Sequence, residues 1–127
     1  MDIKTAIVCE SDKDIAAGIS SAFRAAFPYC DLITTDSGIQ CIEISQKKSP
    51  DIFILGLDIA DMCGFELIRK IRCLFDNYII VLSNTGNDDE LLKSMKEGAD
   101  RYIKKETWNL ELITRIKNIN PVYPLKG

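Results

Sequence analysis

A chain of 127 residues, 46% hydrophobic and 28% charged, has the composition of one globular domain, long enough to bury about 65–70 per cent of its unfolded surface. The formal charge of −3 gives no basis for strong binding to nucleic acid or an anionic membrane, and no apolar run approaches the roughly 18–20 residues of a membrane span. With no histidine in the chain, histidine catalysis and most zinc or haem sites are excluded.

The opening Met1-Asp2-Ile3-Lys4 leads straight into a strand pattern, which predicts no signal peptide. Cysteines at 9, 30, 41, 63 and 73 are odd in number and never spaced C-x-x-C, so they read as reduced thiols of a cytoplasmic protein. The first strand is Thr5 to Cys9, ending in the polar cluster Glu10-Ser11-Asp12, where Ser11 or Asp12 can cap a helix. Ile15, Ile19, Ala22, Phe23 and Ala26 recur at helical spacing, predicting a helix from Asp12 to Phe27 that Pro28 stops. A second strand is expected over Tyr29 to Thr34, and a second helix from Ser37-Gly38 to about Lys48.

Ser49 to Leu67 is the organising stretch. A turn at Ser49-Pro50-Asp51 opens it, the apolar run Ile52 to Leu55 continues past Gly56 to Leu57, and carboxylates follow at Asp58 and Asp61. Such a run reads as a strand buried on both faces of a parallel sheet. The third helix is predicted from Gly64 to about Phe75, then a strand over Tyr78 to Leu82 ending at Ser83-Asn84. Asp88 or Asp89 is expected to cap the fourth helix, which carries Leu91, Leu92 and Met95 and stops at Gly98. A brief strand over Arg101 to Lys104 and a helix over Leu110 to Ile119 complete the pattern. Residues 1–120 form the predicted domain, and 121–127, with Pro121 and Pro124, a tail or the start of a linker.

Strand and helix alternate five times, predicting an α/β fold: a doubly wound parallel sheet with right-handed crossovers. The flavodoxin-like (βα)5 order 2-1-3-4-5 is the expected one. It sets Glu10, Ser11 and Asp12 beside Gly56 and Asp58, at the strand ends where such sheets bind ligands.

From residue 4 to 120 the chain resembles the receiver domain of two-component response regulators. The resemblance rests on IVCESDKDI, PDIFILGLDIADMCGFEL, VLSN and above all EGADRYIKKE. It implies a magnesium site after the first strand, an aspartate that takes a phosphoryl group after the third, a hydroxyl and an aromatic switch residue, and a lysine that pairs with the phosphate. Matched by position, Glu10 is the first acidic residue, Ser83 the hydroxyl, Tyr102 the aromatic and Lys105 the lysine. Asp58 would offer its carbonyl to the metal. The match breaks elsewhere: Ser11 takes the place of the second acid, Gly56 that of the acceptor, Cys63 that of an aspartate, and Glu106 that of a proline.

These departures decide the chemistry. An acyl phosphate needs a carboxylate nucleophile, which Gly56 lacks. Magnesium wants near-octahedral oxygen ligands with one or two carboxylates, and Glu10 with Ser11 supplies one. The expectation is therefore a pseudo-receiver: a signalling module that works through protein contact without aspartyl phosphorylation, is not an enzyme and holds no cofactor. Lys105 would pair with Glu10 or Asp58 and lock the pocket. The interaction face would gather Ser83, Lys93, Lys96, Asp100 and Tyr102, toward a protein partner, an attached output domain or a histidine kinase, with no direct nucleic-acid or membrane contact, as a monomer or weak dimer. The alternative is an active receiver in a phosphorelay, phosphorylated at Asp58 or Asp12, with magnesium held by Glu10, Asp12 and Asp58. A flavodoxin-like redox protein is disfavoured, because the first loop is acidic whereas a phosphate-binding loop offers amides.

Overall fold

A computed structural model describes residues 3–119; the expected tail at 121–127 lies outside the described residues. The strands are β1 (Thr5–Cys9), β2 (Asp31–Thr35), β3 (Ile52–Gly56), β4 (Tyr78–Ser83) and β5 (Arg101–Lys104). They pair in parallel in the order β2-β1-β3-β4-β5, the expected arrangement. The helices are α1 (Lys13–Ala26), α2 (Gly38–Lys48), α3 (Gly64–Leu74), α4 (Asp88–Glu97) and α5 (Trp108–Lys117), with a 3-10 turn at Lys105–Thr107.

The apolar runs are central because both their faces are covered. β3 and β4 are buried along their whole length, whereas edge strands β2 and β5 keep exposed residues. Side chains alternate between two cores, as a pleated strand requires. Ala6, Val8, Ile52, Ile54, Ile80 and Leu82 meet Ile19 and Phe23 of α1 and Leu112 and Ile116 of α5. Ile7, Cys9, Phe53, Leu55, Ile79 and Val81 meet Cys41 of α2 and Leu67, Ile68 and Ile71 of α3.

Helix α4 is anchored differently. Its one fully buried residue is Ser94, while Leu92 is 64% and Met95 39% exposed. The helix thus forgoes part of the about 1.5–3 kcal/mol that each buried Leu or Met supplies. Its cap is Asn87, whose side chain accepts from the Glu90 amide at 2.7 Å, rather than Asp88 or Asp89.

At the edge of the sheet away from the pocket, Arg72 of α3 holds several segments together. Its guanidinium donates to Gly98 O at 2.8 and 3.0 Å, Asn77 O at 2.8 Å, Phe75 O at 3.2 Å and Asp100 Oδ2 at 2.7 Å. Asp100 Oδ2 also accepts from the Ile79 amide at 2.8 Å. Three carbonyls that end helices or precede strands, and would otherwise compete for water, are satisfied by one planar cation.

Candidate functional site

Parallel strands carry their C-terminal ends to one edge. The register of β1 against β3 sets Cys9 beside Leu55, which brings Glu10 and Gly56 together. Glu10 is 2% exposed. Its Oε2 accepts from Lys105 Nζ and from the Asp12 amide, both at 2.8 Å. Its Oε1 is buried without a hydrogen-bond partner among the described residues. A Cβ placed on Gly56 would lie 2.5 Å from that Oε1 and 3.1 Å from Glu10 Cδ. The Glu10 carboxylate therefore occupies the space in which a side chain at position 56 would begin.

The donor set does not fit magnesium. Glu10 is tied to Lys105. Ser11 Oγ donates to the Asp58 carbonyl at 2.6 Å, engaging the oxygen that the resemblance offers to a metal. Asp12 caps α1, its Oδ1 accepting from the amides of Asp14 at 3.0 Å and Ile15 at 3.2 Å. Asp58 does not continue the alternation of β3. It lies beyond the strand in a bridge with Cys63, exposed, and accepts from Asn84 Nδ2. A glutamate beside an ammonium group, with Asp12 turned to a helix cap and Asp58 exposed beyond the strand, is a poor start for a hard dication, and among the described residues no three Cys, Asp or Glu gather into a metal-binding group.

Next to this pocket stands a second polar cluster. Ser83, buried at the end of β4, donates through Oγ to Glu90 Oε1 and accepts from the amides of Thr85 and Gly86, both at 3.1 Å. Tyr102 Oη lies 2.7 Å from Ser83 Oγ and 2.7 Å from Glu90 Oε1. Burial raises the Tyr102 phenol above its ordinary pKa, and the nearby Glu90 carboxylate raises it further while Ser83 opposes the shift. Of the residues expected on the interaction face, Lys93 and Lys96 are exposed on α4, Lys93 with its ammonium 4.6 Å from the ring centre of Phe65. Asp100 is instead turned inward to Arg72, its side chain 8% exposed. Burying Asp100 is what gives the Arg72 staple its anionic partner, and removes it from the accessible face. Sequence reasoning missed Glu90. Its position three residues after Asn87 signals a capping box, not a contact with β4 and β5.

Asp61, the second carboxylate after β3, serves the start of α2. Its carboxylate accepts from Ser37 Oγ at 2.6 Å and from the amides of Gly38 at 2.9 Å and Ile39 at 3.2 Å, the open N-terminus of α2. The Ser37 hydroxyl and these amides hold the Asp61 pKa below the ordinary carboxylate value. A depressed acid contributes stability above its unfolded pKa and loses it as pH falls through the folded one. Asp61→Ala is therefore expected to lower the urea midpoint at pH 7, with the gap to the parent closing below about pH 4. A gap independent of pH would mean that the carboxylate charge is not what holds the loop.

A family model described as the response regulator receiver domain matches residues 6–117. The cell cycle response regulator CtrA of Brucella abortus (strain 2308) is 30% identical over 114 residues, covering 89% of this chain and 48% of that protein. The chain spans about half the length of the curated relatives it matches. Among solved structures, the receiver domain of the TMAO respiratory system response regulator TorR aligns with a TM-score of 0.82 at 26% identity, over 91% of this chain and 94% of that one. The BeF3-activated N-terminal receiver domain of Klebsiella pneumoniae RstA aligns with a TM-score of 0.82 over 90% of this chain and 96% of that one; at 22% identity it speaks to the fold alone. No helix among the described residues is long and apolar enough to cross a membrane. The chain belongs to the receiver-domain family of response regulators, the signalling module of two-component systems.

Proposed function

We propose that this receiver domain signals by protein contact without aspartyl phosphorylation. The observation that carries the reading is the Glu10 carboxylate, packed where an acceptor side chain on Gly56 would start and neutralised by Lys105 at 2.8 Å. The lysine that would meet a phosphoryl group is held by an internal carboxylate, so the pocket is filled in the absence of any phosphoryl transfer. The partner is a protein, an attached output domain or a histidine kinase, met by the surface of α4, β5 and α5 around Lys93, Lys96 and Tyr102. Regulation then follows the amount of partner or the state of an attached domain.

One observation favours a second reading: Asp58 carries an exposed carboxylate at the pocket rim, two residues past Gly56. Asp12 is a weaker substitute, since its side chain already caps α1. Intact mass after incubation with acetyl phosphate and magnesium, beside the Asp58→Asn variant, separates the two readings. No phosphoryl adduct is expected on either protein. An adduct on the parent that vanishes in the variant would assign the nucleophile to Asp58 and overturn the proposal.

A further inference from the structure

We infer that Glu90 is the positioning residue of α4: a built-in anion that takes both switch hydroxyls and fixes the helix against β4 and β5. The inference rests on the phosphorylation-free reading above and extends it, because it supplies the group that holds the switch pair when no phosphoryl group arrives.

The argument starts from what α4 lacks. Of its apolar side chains Leu92 and Met95 are exposed and Leu91 is half-buried, and its one fully buried residue, Ser94, has a hydroxyl without a hydrogen-bond partner among the described residues. Apolar burial is therefore only a partial anchor for the helix. What does reach inward from its first turn is Glu90. At the third position after the Asn87 cap, a glutamate ordinarily folds back to the cap amide. Here the Asn87 amide faces Thr85 Oγ1 at 3.4 Å instead, and Glu90 Oε1 receives the Ser83 hydroxyl and lies 2.7 Å from Tyr102 Oη.

The proton count favours a carboxylate. Ser83 Oγ already accepts from two amides, so its own proton must find an acceptor, and Glu90 Oε1 is that acceptor. The two amides fill both lone pairs of Ser83 Oγ, so the Tyr102 proton goes to the same carboxylate oxygen. An ionised oxygen can accept both, and hydrogen bonds to an ionised partner are the stronger class. One carboxylate thereby joins the end of β4, the second residue of β5 and the start of α4.

Two readouts on protein never exposed to a phosphodonor test this. Glu90→Ala is expected to speed amide hydrogen exchange across 91–97 by about tenfold or more, the factor of one lost hydrogen bond to a charged group. Asp89→Ala, an exposed carboxylate on the same turn, is expected to change it by less than about fivefold, the scale of a helix-dipole contribution. Glu90→Gln, which keeps the shape and removes the charge, is expected to lower the Tyr102 phenol pKa, read by NMR titration. Equal effects of Glu90→Ala and Asp89→Ala would reduce Glu90 to an ordinary first-turn acid and overturn the inference. So would an unmoved Tyr102 titration in Glu90→Gln, a readout that stands even if the alanine variant does not fold. A phosphoryl adduct would sink the preceding proposal without moving either readout.

Discussion

Replacing Lys105 with methionine is expected to lower the unfolding free energy by about 3–5 kcal/mol, the usual cost of stranding one member of a buried ion pair. Both partners are well inside: the Glu10 side chain is 0% and the Lys105 side chain 9% exposed. Glu10 Oε1 already lacks a hydrogen-bond partner among the described residues, so removal of the ammonium leaves the carboxylate with the Asp12 amide alone. The double variant Glu10→Gln with Lys105→Met is expected to recover most of the loss, because a neutral pair of similar volume needs no countercharge. Urea denaturation of the two singles and the double gives the coupling. A loss below about 1 kcal/mol for Lys105→Met would place the pair in the class of exposed salt bridges and deny it the role of a lock.

Gly56→Asp, the change that puts an acceptor side chain where the family resemblance expects one, is expected to destabilise the protein rather than restore it. Its Cβ would meet Glu10 Oε1 at 2.5 Å, so Glu10 has to leave its place beside Lys105. Glu10 Oε1 is the end of a flexible side chain, so the cost lies in the ion pair that Glu10 gives up, and two carboxylates then compete for one ammonium. Like charges raise the pKa of one of them. A raised carboxylate stabilises the fold below that pKa and loses the contribution as pH rises through it. The deficit of the variant is therefore expected to shrink as the pH is lowered from 7, as followed by thermal melts. A variant as stable as the parent at pH 7 would show that Glu10 yields its place freely and that the pocket is adaptable.

The parts of the fold written in continuous apolar runs were the legible ones. Ile52 to Leu55 and Tyr78 to Leu82 are strands because both faces are covered, and that leaves an uninterrupted pattern in the chain. Boundaries were less legible where several residues could do one job. Asn87, Asp88 and Asp89 are all capable caps, and the first of them takes the role. Helix α5 starts two residues before Leu110, at Trp108, whose indole lies across α1: a Cβ on Gly18 would fall 2.7 Å from Trp108 Cζ2. Nothing in the local spacing of α5 records that contact.

The site divides in the same way. Glu10, Ser11, Gly56, Ser83, Tyr102 and Lys105 are brought to one end of the sheet because each sits at or near a strand terminus, and termini can be read from the pattern. The Glu10–Lys105 pairing joins residues 95 positions apart and was open to Asp58 as well, since both acids lie near the same strand ends. Asp61 and Asp100 resemble site acids in sequence. They turn out to serve a helix N-terminus and the Arg72 guanidinium, partners that only the assembled fold supplies.

The Arg72 staple also has a mechanical meaning. It grips Gly98 O, where α4 ends, while Glu90 holds the first turn of the same helix. With 10 residues, α4 is a strut about 15 Å long, tethered at Gly98 by Arg72 and at its first turn by Glu90. Between the two tethers, Leu92 and Lys96 lie exposed on the same helix. A load on that exposed surface is therefore shared by two polar tethers, one at the strand ends and one at the Arg72 guanidinium.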